Sequence, residues 1–537
     1  MRSRLVRAGL LAAVAIAAQA GSIPGGYVLD DDLAIVDNPV VNGALPARAA
    51  FVRDSWGQRG AAGAYRPLVS LSFRADFWLG GGKPQWLHAV NVLLHAAAVV
   101  AAYLALRKPA GENVALAAAA FAAVFAAPAE AVQSLVGRAD VLLALFGLLG
   151  LFAHQRRGRL AAASACAALL FALGSKESAL LLIPCWLVFD LLLPVPAALG
   201  ERWGRLVGYA AVIGLHAVGR GAALGSAAAR QIDPLRNPLA AAPWPNQALG
   251  AGRVLAEHYL PGLFDPTQRL YLCSAPECGP ASAADPIAWI GLAAVALGIV
   301  AAVILAVRVP AASAGLCWCG LLFLPASNFL VAGPTVYAER VLYAPAFGLA
   351  LALAAVSQTL AGRSRPWLAF GPLLAFGLGN AAALQLRHGD WRSAQALYPT
   401  ALPLAPRSAV VQLNAGVARL ERREFQEAEE HARLALSLQP RFAEALALLA
   451  VARDGQGDAA GSEALFLRAL ATTPAGGVLQ DYAKFLGRHG RHAEAAAQLE
   501  RALLQRPESV ALRRQLKFHQ ARLQSPRDTP ARPPAPP

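Results

Sequence analysis

Between residues 86 and 386 the sequence is a succession of apolar windows, at 86–106, 113–128, 139–154, 160–174, 177–193, 204–219, 286–307, 312–331, 340–361 and 366–386. Most are parted by short loops holding Arg or Lys. A helix needs roughly 20 apolar residues to cross a bilayer, with about 17 as the lower end. With an apolar N-terminal segment included, the pattern predicts about eleven spans, with soft boundaries and one or two short windows re-entrant. Composition agrees, since 56% hydrophobic and 15% charged residues with a mean hydropathy of +0.44 are too apolar for an ordinary soluble protein. A formal net charge of +15 would otherwise point to nucleic acid, but much of it is Arg clustered between apolar runs. That is a mark of membrane orientation, so no nucleic-acid partner is expected.

Arg2, Arg4 and Arg7 precede a short apolar run ending Ala18-Gln19-Ala20. This is the layout of a signal peptide with a small-residue cleavage site, or of a retained first helix with its basic end in the cytoplasm. Apolar character resumes at Ile23 and Tyr27–Leu29, which favours retention. With the N-terminus inside, the inner loops hold Arg107-Lys108, Arg156-Arg157-Arg159, Arg202 with Arg205, Arg308, and Arg363 with Arg365. The short outer loops carry acid or mixed charge: Glu130 with Arg138, Lys176-Glu177, Glu339-Arg340. The positive-inside rule is met at every short loop. A membrane domain is therefore expected over 1–390, with a first outer loop at 24–85 and a long outer loop at 220–285. The Ala- and Arg-rich composition points to a bacterial host, hence an inner membrane. Cys166, Cys185, Cys317 and Cys319 lie in apolar runs and read as small core residues. Cys273 and Cys278 share a polar loop, lack zinc-site company, and would pair if that loop is extracytoplasmic.

An odd number of spans places everything after about residue 387 outside. There Pro406, Pro440, Pro474 and Pro507 stand 34, 34 and 33 residues apart. Each of the last three follows a small residue at an expected helix crossing (Gly416, Ala450, Ala483) and an Ala five positions earlier (Ala435, Ala469, Ala502). This is the tetratricopeptide pattern, and about three repeats is the least that makes a stable stack. A solenoid is expected over 391–521 and a Pro-rich disordered tail over 522–537. The fold class is all-α: a polytopic membrane bundle followed by a C-terminal repeat array.

The stretch Tyr27 to Pro39 sets Asp30, Asp31 and Asp32 directly after the first apolar segment. A carboxylate at mid-bilayer costs roughly 2.5–3.5 kcal/mol, so acid at the lip of a span must face water, a partner or a pocket. Arg66, Arg74, Arg138, Asp140, Lys176, Glu177, Glu339 and Arg340 recur on the same outer side. Any one of them could merely anchor a helix end by snorkelling; gathered on one side, they mark a polar cavity offering carboxylates for proton removal and cations for a phosphate. His88, Asn91 and His95 share one helical face, a pattern for interhelical hydrogen bonding before a metal site.

These residues resemble a known family. Asp30-Asp31, Ala34-Ile35, Asn38-Pro39, Tyr65-Arg66-Pro67-Leu68, Phe73-Arg74, then His88, Asn91 and His95 are similar to the transmembrane and tetratricopeptide-repeat O-mannosyltransferases. The likeness continues through Glu130-Ala131-Val132, Gly137-Arg138-Ala139-Asp140, Lys176-Glu177, Asn237-Pro238, Ala338-Glu339-Arg340, Tyr343 with Pro345, and Trp391. The resemblance implies a GT-C-like enzyme that takes a sugar from a polyprenyl-phosphate donor and delivers it to a hydroxyl on the outer side. It makes Asp30 or Asp31 the catalytic base and places Asp32 where the pattern varies. Arg138, Arg340 and Lys176 become candidates for the donor phosphate. Arg66, Arg74, His88, Asp140, Glu177, Glu339 and Tyr343 would line the pocket. The family's His-Pro-x-His is missing at Ala127-Pro128-Ala129, so no metal site is assigned. Expected partners are the membrane lipid donor and a protein or glycan acceptor brought by the repeats. Two alternatives stand beside this: a non-catalytic membrane-anchored repeat scaffold, and a GT-C enzyme acting on a glycan or lipid.

Overall fold

The computed structural model describes residues 2–58, 64–193, 199–225, 232–267, 273–360 and 370–524. Among them the chain is helical, with an isolated antiparallel bridge between Pro276 and Ser408. It divides into two compact units, 1–411 and 412–537.

In the first unit the helices are α1 (Arg2–Gln19), α2 (Pro67–Leu79), α3 (Pro84–Leu106), α4 (Glu112–Val124), α5 (Glu130–Gln133), α6 (Arg138–His154), α7 (Arg159–Leu173) and α8 (Leu182–Leu192). They continue with α9 (Leu199–Leu224), α10 (Trp244–Val254), α11 (Leu260–Phe264), α12 (Pro286–Arg308), α13 (Pro310–Phe323), α14 (Tyr343–Leu360), α15 (Gly371–Arg387) and α16 (Ala394–Ala401). Several starts are written in the sequence. Pro67, Pro84, Pro286 and Pro310 open α2, α3, α12 and α13, where a missing N–H costs nothing. Asp285 caps α12 by accepting the Ile287 N–H at 3.0 Å.

Among the described residues, five helical stretches are long and apolar enough to cross a membrane: Ser3–Ser22, Pro84–Leu106, Trp203–Leu224, Pro286–Arg308 and Glu339–Leu360. Shorter apolar helices fill Glu112–Val124, Arg159–Leu173 and Pro310–Ala326. The window 113–128 is cut at Phe125, which is extended (ψ 120) three residues ahead of Pro128. Helix α12 is the least buried of these five: only 6% of its apolar window is buried, so Trp289, Leu297, Val303 and Val307 face outward. A stripe of that size suits hydrocarbon rather than water, and the chain is an integral membrane protein. Inside the bundle, Ala and Gly bring backbones together. A Cβ added at Gly315 would lie 2.4 Å from the Gly348 carbonyl, and one at Gly348 equally close to that of Gly315. Helices α13 and α14 therefore touch through a paired small-residue seam.

From residue 409, three residues ahead of the second unit, helices alternate as α17 (Ala409–Glu421), α18 (Phe425–Leu438), α19 (Ala443–Gly455), α20 (Ala459–Thr472), α21 (Gly476–Arg488), α22 (His492–Gln505) and α23 (Val510–Gln524). The starts at 409, 443, 476 and 510 are 34, 33 and 34 residues apart. Pro440, Pro474 and Pro507 each follow the end of the second helix of a pair. Ala435, Ala450, Ala469, Ala483 and Ala502 are buried at the crossings. Residues 525–537, which hold the expected disordered tail, lie outside the described residues.

Candidate functional site

The two acids after α1 part company. Asp31 is fully buried, and its carboxylate accepts the Val28 N–H at 2.8 Å through Oδ2 and the Val136 N–H at 3.3 Å through Oδ1. It thus staples its own loop to the turn ahead of α6. Burial pushes the Asp31 carboxyl up to about 8; the two backbone bonds oppose this, and the charges of Asp30 and Asp32 add to it. Asp30 is half-buried, and among the described residues its carboxylate makes no hydrogen bond. Its charge is felt at Arg340. Leu29, between Val28 and the pair, takes φ 55, a left-handed conformation that costs a side chain of this size energy. The strain sits where the chain must turn Asp31 inward and leave Asp30 out.

The rim charges gather into three ion pairs, linked to Asp30 through its charge at Arg340. Lys176, after α7, pairs with Asp140 in the first turn of α6. Arg66, just ahead of α2, reaches Glu177 Oε2 at 3.4 Å, while the Tyr65 N–H donates to Glu177 Oε1 at 3.0 Å. Arg340 clasps Glu130 twice, through its backbone N–H at 2.9 Å and through its guanidinium. The charges of Arg66 and Arg340 are both felt at Lys176, and that of Asp140 at Arg340. Glu130 is sealed, with 1% of its side chain exposed, whereas Lys176 keeps 18%, Arg340 25% and Arg66 27%. Glu130 and Asp140, the latter 4% exposed, are used up in holding, while the three cations, and Glu177 at 32%, retain an open side.

Other expected pocket residues go elsewhere. Arg138 is wholly enclosed: Nε donates to Asn91 Oδ1 at 2.6 Å, Nη2 to the Leu87 carbonyl at 3.0 Å, and Nη1 to Asp76. Its guanidinium also lies 4.3 Å from the Phe73 ring centre. The expectation of a phosphate grip there meets a group whose donors are spent joining α2, α3 and α6. Arg74 donates to the Val40 and Leu45 carbonyls at 2.6 and 2.7 Å and so fastens the 38–46 loop rather than joining the cluster. His88 bonds the Gly26 carbonyl at 3.2 Å. Tyr343 meets His95 Nδ1 at 2.7 Å, with the Asp140 charge felt at its ring. Glu339 is buried against Arg387. Sequence reasoning left out Glu130, Asp76 and Arg387 as site residues. Glu130 alone left a signal, standing in an outer loop ahead of Gly-Arg-Ala-Asp.

Among the described residues, one trio could approach a metal ion: His258, Cys273 and Cys278. The two cysteines are joined as a disulfide, S–S 2.01 Å, which leaves one free ligand.

No family model matches the chain. It is 41% identical over 170 residues to mouse (Mus musculus) protein O-mannosyl-transferase TMTC1, a stretch covering 29% of this chain and 18% of that protein. Two longer matches are weaker in identity. Protein O-mannosyl-transferase F38B6.6 of Caenorhabditis elegans is 26% identical over 446 residues, 81% of this chain and 63% of the relative. Mouse TMTC3, also named a protein O-mannosyl-transferase, is 25% identical over 486 residues, 80% and 51%. The chain spans less than two thirds of the length of these relatives. It is thus an integral membrane protein similar, along most of its own length, to proteins named as O-mannosyl-transferases.

Proposed function

We propose that the chain transfers a sugar, mannose or a close relative, from a polyprenyl-phosphate donor to a Ser or Thr hydroxyl on the extracytoplasmic side. The observation that carries this is Asp30: an unbonded, half-buried carboxylate beside Arg340, with Lys176 and Arg66 next in line. The names of the relatives supply the sugar and acceptor classes.

In the reading this supports, Asp30 takes the proton of the acceptor hydroxyl as its oxygen bonds to the anomeric carbon. The bond from that carbon to the phosphate oxygen breaks, and the electron pair leaves with the lipid phosphate. A phosphate ester of a lipid is a competent leaving group, so one carboxylate suffices and the anomeric centre inverts. Charge grows on the departing phosphate, where Arg340, Lys176 and Arg66 stabilise it more than they do the ground state. Asp31 serves badly as a base, because it is fully buried and both of its carboxylate oxygens already accept backbone N–H groups. The frame of this reading is a GT-C-like bundle of about eleven spans. Its N-terminus is cytoplasmic in a bacterial inner membrane, and the helix pairs form a periplasmic tetratricopeptide array that recruits the acceptor.

The test is transfer of labelled mannose from polyprenyl-phosphate mannose to Ser/Thr peptides by the purified full-length protein in detergent. Wild-type protein should label the peptide, and Asp30→Asn should lower kcat by about 10²–10⁴, the usual worth of a positioned base. A wild-type protein that binds lipid phosphate yet labels no hydroxyl acceptor overturns the proposal.

A further inference from the structure

The geometry points to Arg387 and Asn380 as a positioning bracket for the Arg340–Glu130 pair. Through one buried guanidinium and one buried amide, α15 holds both chain segments that bring those two side chains together. The inference rests on the reading that Arg340 meets the donor phosphate.

Ala126 lies in the non-helical bend between α4 and α5. A buried backbone N–H has to be paired, and the bend denies this one a helical partner. Asn380 Oδ1 accepts it at 3.0 Å. The Ala126 carbonyl takes the Ala129 N–H at 3.0 Å and also Arg387 Nη1 at 2.9 Å. Asn380 and Arg387 are seven residues apart, about two turns, so one face of α15 grips both the N–H and the C=O of a single residue, Ala126. Four residues further on is Glu130, which clasps Arg340.

The other arm is shorter. Arg387 Nη2 bonds the carboxylate of Glu339, the residue before Arg340. Both partners are buried, so neither has water to fall back on. One guanidinium therefore ties down the bend that carries Glu130 and the turn that carries Arg340. Neither Arg387 nor Asn380 touches the phosphate position in this account; they act through the pair. A displacement of about 1 Å at a reacting centre is worth about 10²-fold in rate, which is the leverage such a bracket has.

The experiment uses the full chain in detergent, with Asn380→Leu and the double variant Arg387→Met/Glu339→Leu. The double variant removes the ion pair without stranding a buried charge. The first readout is amide hydrogen exchange, which needs no substrate. The double variant should speed exchange in segments 126–133 and 339–343 about tenfold, and Asn380→Leu in 126–133 alone, with α7 and α13 unchanged. The second is kinetics. The double variant should raise the donor KM about tenfold with the acceptor KM unchanged, and should add nothing in an Arg340→Gln background. Unchanged exchange in both segments overturns the bracket, as does an effect that adds in full to that of Arg340→Gln. If the two segments loosen as expected but wild-type protein transfers nothing, the bracket stands and the proposed function falls.

Discussion

Asp30 and Asp31 are identical in chemistry and adjacent in sequence, and their surroundings give them opposite uses. Asp31→Asn should keep most transfer activity, because Asn has the shape of a protonated Asp and Asp31 is not the base. Asp30→Asn should lose about 10²–10⁴ in kcat at unchanged donor KM; the pair is read in one peptide-labelling assay. Asp31 also predicts a pH dependence of stability. Its carboxyl titrates near 8 in the fold and near 3.9 in an unfolded chain, so the unfolded chain holds fewer protons between those limits. Its contribution to folding stability is fully present below about pH 4 and is lost as pH rises through about 8. Thermal unfolding in detergent should therefore fall more between about pH 5 and about pH 9 for wild-type protein than for Asp31→Asn. Equal slopes would contradict the burial argument. The sequence shows that acid collects at the end of the first apolar segment. It does not show which acid is free, because that is decided by the Val136 N–H, 105 residues away.

At the scale of the element, Arg138 fastens three helices and its loss is a folding defect. Arg138→Met leaves Asp76 buried and uncompensated, and should cost about 3–5 kcal/mol, seen as a lower melting temperature and lower yield. Arg138→Met/Asp76→Leu should recover most of that loss, and its folded fraction should bind lipid phosphate as wild-type protein does. A loss of lipid-phosphate affinity in the folded double variant would return Arg138 to the binding site. The error of expectation here is one of length. Helix α2 has 13 residues and lies inside what reads as an outer loop, 24–85. It is too short and too polar to register as a span, so Asp76 goes unnoticed as the partner of Arg138. The long apolar helices α3, α12 and α14, by contrast, are legible from composition alone.

For the whole molecule, the shift in hydropathy after residue 387 marks a division that the contacts place near 411. The second unit carries its own core, with Leu446, Phe466, Leu479, Phe485, Leu499 and Leu512 buried together. Its described helices include none that is long and apolar enough to cross a membrane. Stacked helix pairs owe their stability to their own faces and nearest neighbours, which makes such a unit separable. A fragment of residues 407–524, which retains Ser408 as the acceptor for the Val411 N–H, should therefore be monomeric without detergent. It should be predominantly helical by circular dichroism and melt in one cooperative transition. Replacing Ala469, buried at a crossing, by Leu should destabilise the fragment by about 1–3 kcal/mol through overpacking. The reverse change at exposed Leu467, to Ala, should do little. A fragment that aggregates, or that tolerates Ala469→Leu without loss, would mean that the period in the sequence does not encode a self-sufficient stack.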